Sequence, residues 1–249
     1  DFNVVTFQTM AKQAMNEIYS HNKVPIITGG TGFYIQALLY DIDFKENDEK
    51  NPVREELEQL AEKLGENAPQ VLHQKLQEVD PEAAAQIHAN NIKRVIRAIE
   101  YFKQTGEKIS QHNEEMHQKD SPYNFLYYVL TRDRKVLYER IDRRVDIMME
   151  NGLVDEVKKL KDMGCHRGQT SMQGLGYKEI LDYLDGGCTL EEAVYILKRD
   201  TRHFAKRQLT WFRREKDVRW LDLDQYQGNA DLILADILKD CEQAEIVLK

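Results

Sequence analysis

Val24-Pro25-Ile26-Ile27-Thr28-Gly29-Gly30-Thr31-Gly32 is a short, mainly apolar run that ends in a glycine cluster. The run has the length and composition of a strand buried on both faces of a parallel sheet. The glycines mark a turn beyond its carboxyl end. Upstream, Val4, Phe7, Ala11, Ala14, Met15 and Ile18 recur at the spacing of one helix face. Downstream, Phe33 to Leu39 resumes a helical pattern. Helix, buried strand, glycine loop and helix is the layout of a doubly wound sheet, where ligands sit beyond the carboxyl ends of strands. The expected fold class is α/β.

Further out, the character changes. From about Asp43 to Gln118, charged and Pro-punctuated helices are predicted at about 52–64, 69–77, 81–87, 90–104 and 108–116, with no strand between them. This predicts an all-helical domain, residues 43–118, inserted into an α/β core made of residues 1–42 and 119–249. Asn124 to Thr131 returns to strand composition. Helices are predicted at about 133–149, 153–161, 176–184 and 189–214, then a strand from Val218 to Leu221 and an amphipathic helix from Asn229.

The 249 residues, 41% hydrophobic and 31% charged, suit a globular cytoplasmic protein of one or two domains. No apolar run reaches the length of a membrane span, and no membrane partner is expected. Cys165, Cys188 and Cys241 lie far apart, with neither a CxxC pair nor a histidine at finger spacing, which argues against structural zinc and a disulfide framework. A net charge of −8 excludes a protein that coats nucleic acid indiscriminately. It leaves open a local phosphate-binding surface.

Such a surface is expected on the helix from Thr189, whose capping box with Glu192 fixes its start. Arg199, Arg202, His203, Lys206, Thr210, Arg213 and Arg214 fall on one side, and Val194, Leu197, Phe204, Ala205, Trp211 and Phe212 mostly on the other. The cations span about 20 Å, the scale of several phosphates. A solvated face laced with salt bridges is the alternative; few acids on that face weigh against it. Asn90, Arg94, Arg97 and Tyr101, with Lys93 at the margin, form a second stripe, equally compatible with an ordinary surface helix. Arg140 and Arg144 project together from one helix, beside Arg132-Asp133-Arg134. Paired arginines suit a diphosphate leaving group, yet their spacing favours ion pairing with Glu139, Asp142 or Asp146. Gly29 to Gly32 offers backbone N–H groups, though such a cluster is more often a turn. Ser171-Met172-Gln173-Gly174-Leu175-Gly176-Tyr177-Lys178 mixes flexible glycines with groups that suit single-stranded RNA.

Taken together, several segments are more specific than any one. Ile26 to Tyr34, Asp80-Pro81 through His88, Arg94 to Glu100, Gln173-Gly174-Leu175-Gly176-Tyr177 and Thr201-Arg202-His203-Phe204-Ala205-Lys206-Arg207-Gln208-Leu209-Thr210-Trp211-Phe212-Arg213 stand in the order and spacing of bacterial tRNA dimethylallyltransferases, which the whole chain resembles. The resemblance implies transfer of a dimethylallyl group from dimethylallyl diphosphate to N6 of adenosine 37 in tRNA. It implies a P-loop NTPase-like, nucleotide-kinase-like parallel-sheet core, an inserted helical domain for the anticodon stem-loop, Mg2+ as cofactor, and a cytoplasmic monomer. By position, Thr31, Arg54, Lys93, Arg94, Arg97, Gln173, Gly174, Leu175, Gly176, Tyr177 and Lys178 resemble tRNA-contacting sites. So do Lys206, Arg207, Gln208, Leu209, Thr210, Trp211, Phe212 and Arg213. Arg144 resembles the arginine that helps hold the diphosphate, and Arg140 and Arg202 join it as candidate catalytic cations.

The family's phosphate loop and the Asp-Ser segment with its proposed general base have no counterpart in these residues. The expectation is a chain whose beginning is missing, inactive by itself, with Mg2+ ligands mostly elsewhere. Three rivals remain: an enzyme prenylating free adenine nucleotides, a small-molecule P-loop kinase and a non-enzymatic RNA-binding module. AMP against a stem-loop, γ-phosphate transfer, and binding without turnover distinguish them.

Overall fold

A computed structural model describes residues 2–44 and 51–247. The chain divides into two compact units, Asp1–Met15 with Phe33–Tyr123, and Asn16–Gly32 with Asn124–Lys249. The sequence predicts the division elsewhere, at 42/43 and 118/119. Here residues 1–15, 33–42 and 119–123 group with the helical segment instead. Positions 45–50 of the expected insertion, with 248 and 249, lie outside the described residues.

The helices follow their sequence signals closely. In the first unit they are α1 (Val4–Ser20, which continues into the second unit), α2 (Gly32–Leu39), α3 (Pro52–Leu64), α4 (Ala68–Val79), α5 (Pro81–Gln86), α6 (Ile92–Thr105) and α7 (Ile109–Gln118). Pro at the first turn of α3, α4 and α5 starts each one where its missing N–H costs nothing. Asn51 and Asp80 cap α3 and α5 by accepting from Val53 and Ala83 N–H groups, each at 3.0 Å. The core of α3 to α6 consists of Leu57, Leu72, Leu76, Ala83, Ala84, Val95, Ile96, Ala98 and Ile99. Three buried polar side chains specify it further. Asp80, 0% exposed, accepts from Ser110 N–H (2.9 Å) and Ser110 hydroxyl (2.7 Å) as well as from Ala83. Glu100 accepts from Asn51 (2.8 Å) and faces Arg97 (3.4 Å). Burial alone would push the Asp80 carboxyl up; the hydrogen bonds from Ser110 and Ala83 outweigh it and hold the group below the usual carboxylate range.

In the second unit a two-stranded sheet pairs β1 (Tyr127–Thr131) in parallel with β2 (Val218–Asp222), in the register Val129 opposite Trp220. Parallel pairing requires a long crossover. Here it is α8 (Arg134–Glu150), α9 (Leu153–Asp162), α10 (Tyr177–Leu184) and α11 (Leu190–Phe212), and α12 (Ala230–Gln243) follows β2. The core between these helices takes Val145 from α8, Leu153 and Val157 from α9, Ile180 and Leu181 from α10, and Ala193 and Leu197 from α11. Tyr127 of β1 meets Phe212 edge-on at 6.3 Å.

The expected buried strand at Val24–Thr28 does not form. Residues 23–29 belong to no helix or strand, and Ile26 is 82% exposed. The apolar composition suits a strand, but a strand exists only through a ladder partner, and none pairs with this segment among the described residues.

Candidate nucleic-acid interface

The long basic helix starts as its sequence requires. Thr189 Oγ1 accepts from Glu192 N–H at 3.2 Å, and Glu192 Oε2 accepts from Thr189 N–H at 2.8 Å, so both halves of the capping box are made. Its cations then divide into two groups. Arg199 bonds Asp200 at 2.9 Å, Lys198 pairs with Asp146 and Arg202 with Asp142, the last two on α8. The bond from Arg199 holds the Asp200 carboxyl below its usual range. Past that point the pairing stops. Lys206, Arg207, Arg213 and Arg214 have no ion-pair partner among the described residues. The uniform stripe read from the sequence is therefore a neutralised first half and an uncompensated second half.

Around the second half, His203, Lys206, Arg207, Thr210, Trp211 and Arg214 line an open depression of about 380 Å³. Phe204, assigned to the core by its spacing, is 41% exposed, with the Arg207 guanidinium 5.7 Å from its ring centroid. It lies about two turns past Leu197, the last α11 residue in the core shared with α8, α9 and α10. Phe212, by contrast, is buried as expected.

The glycine loop comes to this same half of α11, which no single motif foretold. Gln208 Nε2 donates to the Gly30 carbonyl at 2.8 Å. A Cβ on Gly30 would stand 2.2 Å from that nitrogen, and one on Gly32 2.1 Å from Trp211 Cδ1. Close approach of the indole ring requires glycine at Gly32, whereas a side chain at Gly30 would displace the tip of Gln208, so the cluster is more than a turn. Thr31, between them, is exposed. Burial pushes the nearby Glu215 carboxyl above the carboxylate range, against a hydrogen bond from Trp211.

On α8, Arg140 and Arg144 are exposed and make no ion pair among the described residues. The carboxylates that spacing offered them, Asp142 and Asp146, are taken by α11. Arg202 shares an open depression of about 600 Å³ with Asp133, Arg134, Lys135, Tyr138, Glu139 and Asp142.

The loop from Ser171 to Lys178 is more committed to the fold than its composition suggests. Met172, Gly176 and Glu179 are buried, and Leu175 packs on the core. The Gln173 amide donates to the Arg167 carbonyl, the Tyr177 hydroxyl to Glu156, and Lys178 faces Glu179 and Asp200 at 3.3 and 3.7 Å. Gly174 is exposed.

In the helical unit, Lys93 and Arg94 are exposed without ion pairs among the described residues. Arg97 leans on buried Glu100, and Arg54 pairs with Glu58 at 3.4 Å. Tyr101 is only 4% exposed, its ring 5.3 Å from His112 and its hydroxyl 3.4 Å from Glu107. It is not free to stack on a base, because α7 covers it. No group of three His, Cys, Asp or Glu side chains among the described residues is arranged to hold a metal ion, and no described helix is long and apolar enough to cross a membrane.

Residues 1–215 match the sequence profile of a family described as IPP transferase. A tRNA dimethylallyltransferase from Lachnoclostridium phytofermentans is 60% identical over 247 residues, which are 99% of this chain and 78% of the relative. A tRNA isopentenylpyrophosphate transferase from Bacillus halodurans has a similar solved structure, with TM-score 0.64, 42% identity, and coverage of 98% of this chain and 77% of the other. A eukaryotic dimethylallyltransferase acting on tRNA, 26% identical, superposes with TM-score 0.77 over 100% of this chain and 64% of its own.

Proposed function

The chain belongs to the IPP transferase family, and from that membership we propose that it transfers a dimethylallyl group from dimethylallyl diphosphate to N6 of adenosine 37 in tRNA. One observation carries the RNA reading. In a chain of net charge −8, the second half of α11 and the turn that follows it keep four cations without an ion pair among the described residues, beside a glycine loop pressed to the same helix. A solvated surface helix would spread its acids among its bases; this one uses them only in its first half.

The chemistry follows from where charge moves. The adenine leaves the loop's stack at a cost of a few kcal/mol, offset by contacts around it. N6 attacks C1 of the prenyl group as its proton passes to a general base, the C1–O bond breaks, and the electron pair goes to the departing diphosphate. Arg140 and Arg144, exposed and without an ion pair among the described residues, suit the neutralisation of that developing charge. Arg202, already held by Asp142, suits a supporting role. Lys206, Arg207 and Arg213 suit the RNA backbone, with Lys93 and Arg94 of the helical unit as further cations for the anticodon stem. A core of P-loop NTPase type is supported by the parallel pairing of β1 and β2 across a helical crossover. Mg2+ would be held by one or two carboxylates together with the diphosphate oxygens and would help neutralise the leaving group; no step here runs through it. A tRNA substrate favours a cytoplasmic setting, and the protein is taken as a monomer.

The test is transfer of labelled dimethylallyl by the protein at its native length. An anticodon stem-loop with adenosine 37 should gain label, and one with guanosine there should not. Label in AMP but not in the stem-loop would overturn the reading in favour of a nucleotide prenyltransferase. Stem-loop binding without transfer would leave only an RNA-binding module.

A further inference from the structure

Position along the motif assigns Gln208 and Trp211 to RNA, but their side chains are spent elsewhere. They stand three residues apart on α11 and so reach the same side. Gln208 holds the carbonyl of Gly30, and the Trp211 ring fills the space where a Gly32 side chain would be. Gly29, immediately before the clamped turn, has open space around it. Among the three glycines of the loop, close contact is confined to the two that flank Thr31. The segment leading in, residues 23–29, belongs to no helix or strand, so no ladder fixes the loop from that side among the described residues.

We propose that Gln208 and Trp211 are positioning residues: they clamp Gly30 and Gly32, and so hold the exposed Thr31 hydroxyl where it donates a hydrogen bond to an oxygen of the RNA backbone. This rests on the RNA reading given above. The clamp suits that task because Thr31 carries its hydroxyl on a short stem. Such a group cannot follow its acceptor if the backbone beneath it moves by an ångström. Lys206, Arg207 and Thr210, on the adjoining turns of α11, draw the same backbone by charge and hydrogen bonding.

A double-mutant cycle separates positioning from contact. Gln208→Ala, Thr31→Val and the pair are compared by KM for the stem-loop, KM for dimethylallyl diphosphate, kcat, and amide hydrogen exchange in residues 26–33. Each single change should raise KM for the stem-loop by about tenfold, the worth of one good hydrogen bond. KM for the diphosphate should stay put. The double variant should be no worse than the worse single one. Exchange should quicken in Gln208→Ala and stay unchanged in Thr31→Val. Losses that multiply in the double variant would mean that Gln208 touches RNA itself, and the proposal falls. Unchanged exchange in Gln208→Ala would remove the clamp. Faster exchange with no change in KM for the stem-loop would leave a clamp that does not serve RNA, which also overturns the proposal. A parent protein that takes no stem-loop at all would fail the function reading and the Thr31 contact together, while exchange would still report on the clamp.

Discussion

The most direct test of the split along α11 is the salt dependence of RNA binding. Each phosphate that a cation neutralises releases counterions and adds about 0.7 to 0.9 to the slope of log K against log salt. Lys206, Arg207, Arg213 and Arg214 have no carboxylate partner among the described residues. At about 0.8 each, they contribute a slope of about 3.2, or roughly an 80-fold loss of affinity for a fourfold rise in salt. The variant Arg207→Ala/Arg213→Ala keeps about half that slope, and the same rise in salt then costs it about ninefold from the remaining two. Arg199→Ala/Arg202→Ala is the control: both side chains are already paired, with Asp200 and Asp142, and little slope should be lost. The assay is anisotropy of a labelled anticodon stem-loop, titrated at several salt concentrations. Equal loss of slope in the two double variants would refute the division. An unchanged slope in Arg207→Ala/Arg213→Ala would refute the RNA face.

Arg144→Ala should lower the single-turnover rate of transfer while leaving stem-loop affinity near that of the parent, because its charge is wanted only as diphosphate departs. Asp80→Ala should destabilise the helical unit by about 3 kcal/mol in denaturant melts, since it strands buried donors on Ser110 and Ala83. Because the folded carboxyl titrates below its ordinary 3.8, Asp80 stabilises above that value. Stability should fall as pH drops through the folded one, a limb that Asp80→Asn lacks. Glu215 has the opposite sign. Its raised carboxyl binds a proton more tightly when folded, so stability should decline as pH rises above its ordinary 4.5, and Glu215→Gln should flatten that decline in thermal melts at stepped pH.

Local signals made the helices legible. Thr189 with Glu192, Asn51 with Pro52, and Asp80 with Pro81 announce starts that the structure keeps almost to the residue. What escaped was whatever depends on a neighbour. Val24 to Thr28 reads as a strand, yet strand formation belongs to a pair of segments and not to one. Tyr101 shares a helical face with Arg94, but periodicity does not reveal that α7 covers its outer half. Phe204 stands two turns beyond Leu197 on the same face, and the core ends between them. The approach of Gly30 and Gly32 to α11 joins positions almost 180 residues apart in the chain, where spacing has nothing to say. Of the site, its cations were legible as residue types; which of them are already neutralised was not.

That last distinction bears on Arg202, placed among the catalytic cations by its motif. Two rungs join α8 to α11, Asp142 with Arg202 and Asp146 with Lys198. Each pair of partners is four residues apart, and the order reverses between helices, so the two run antiparallel here. Were Arg202 absent, the Asp142 carboxylate would stand uncompensated on α8 and lower the positive potential around Arg140 and Arg144, although at two positions' remove it faces neither. Removing Arg202 would then damage catalysis without Arg202 ever touching the diphosphate. A second substitution distinguishes the routes. If Arg202 acts by occupying Asp142, Arg202→Ala should lose about tenfold in kcat, and Arg202→Ala/Asp142→Asn should regain most of it, the energy being that of one partly screened ion interaction. If Arg202 itself neutralises the leaving group, the second change restores nothing. Rescue would move Arg202 from the catalytic set to the scaffold that keeps the surroundings of Arg140 and Arg144 positive.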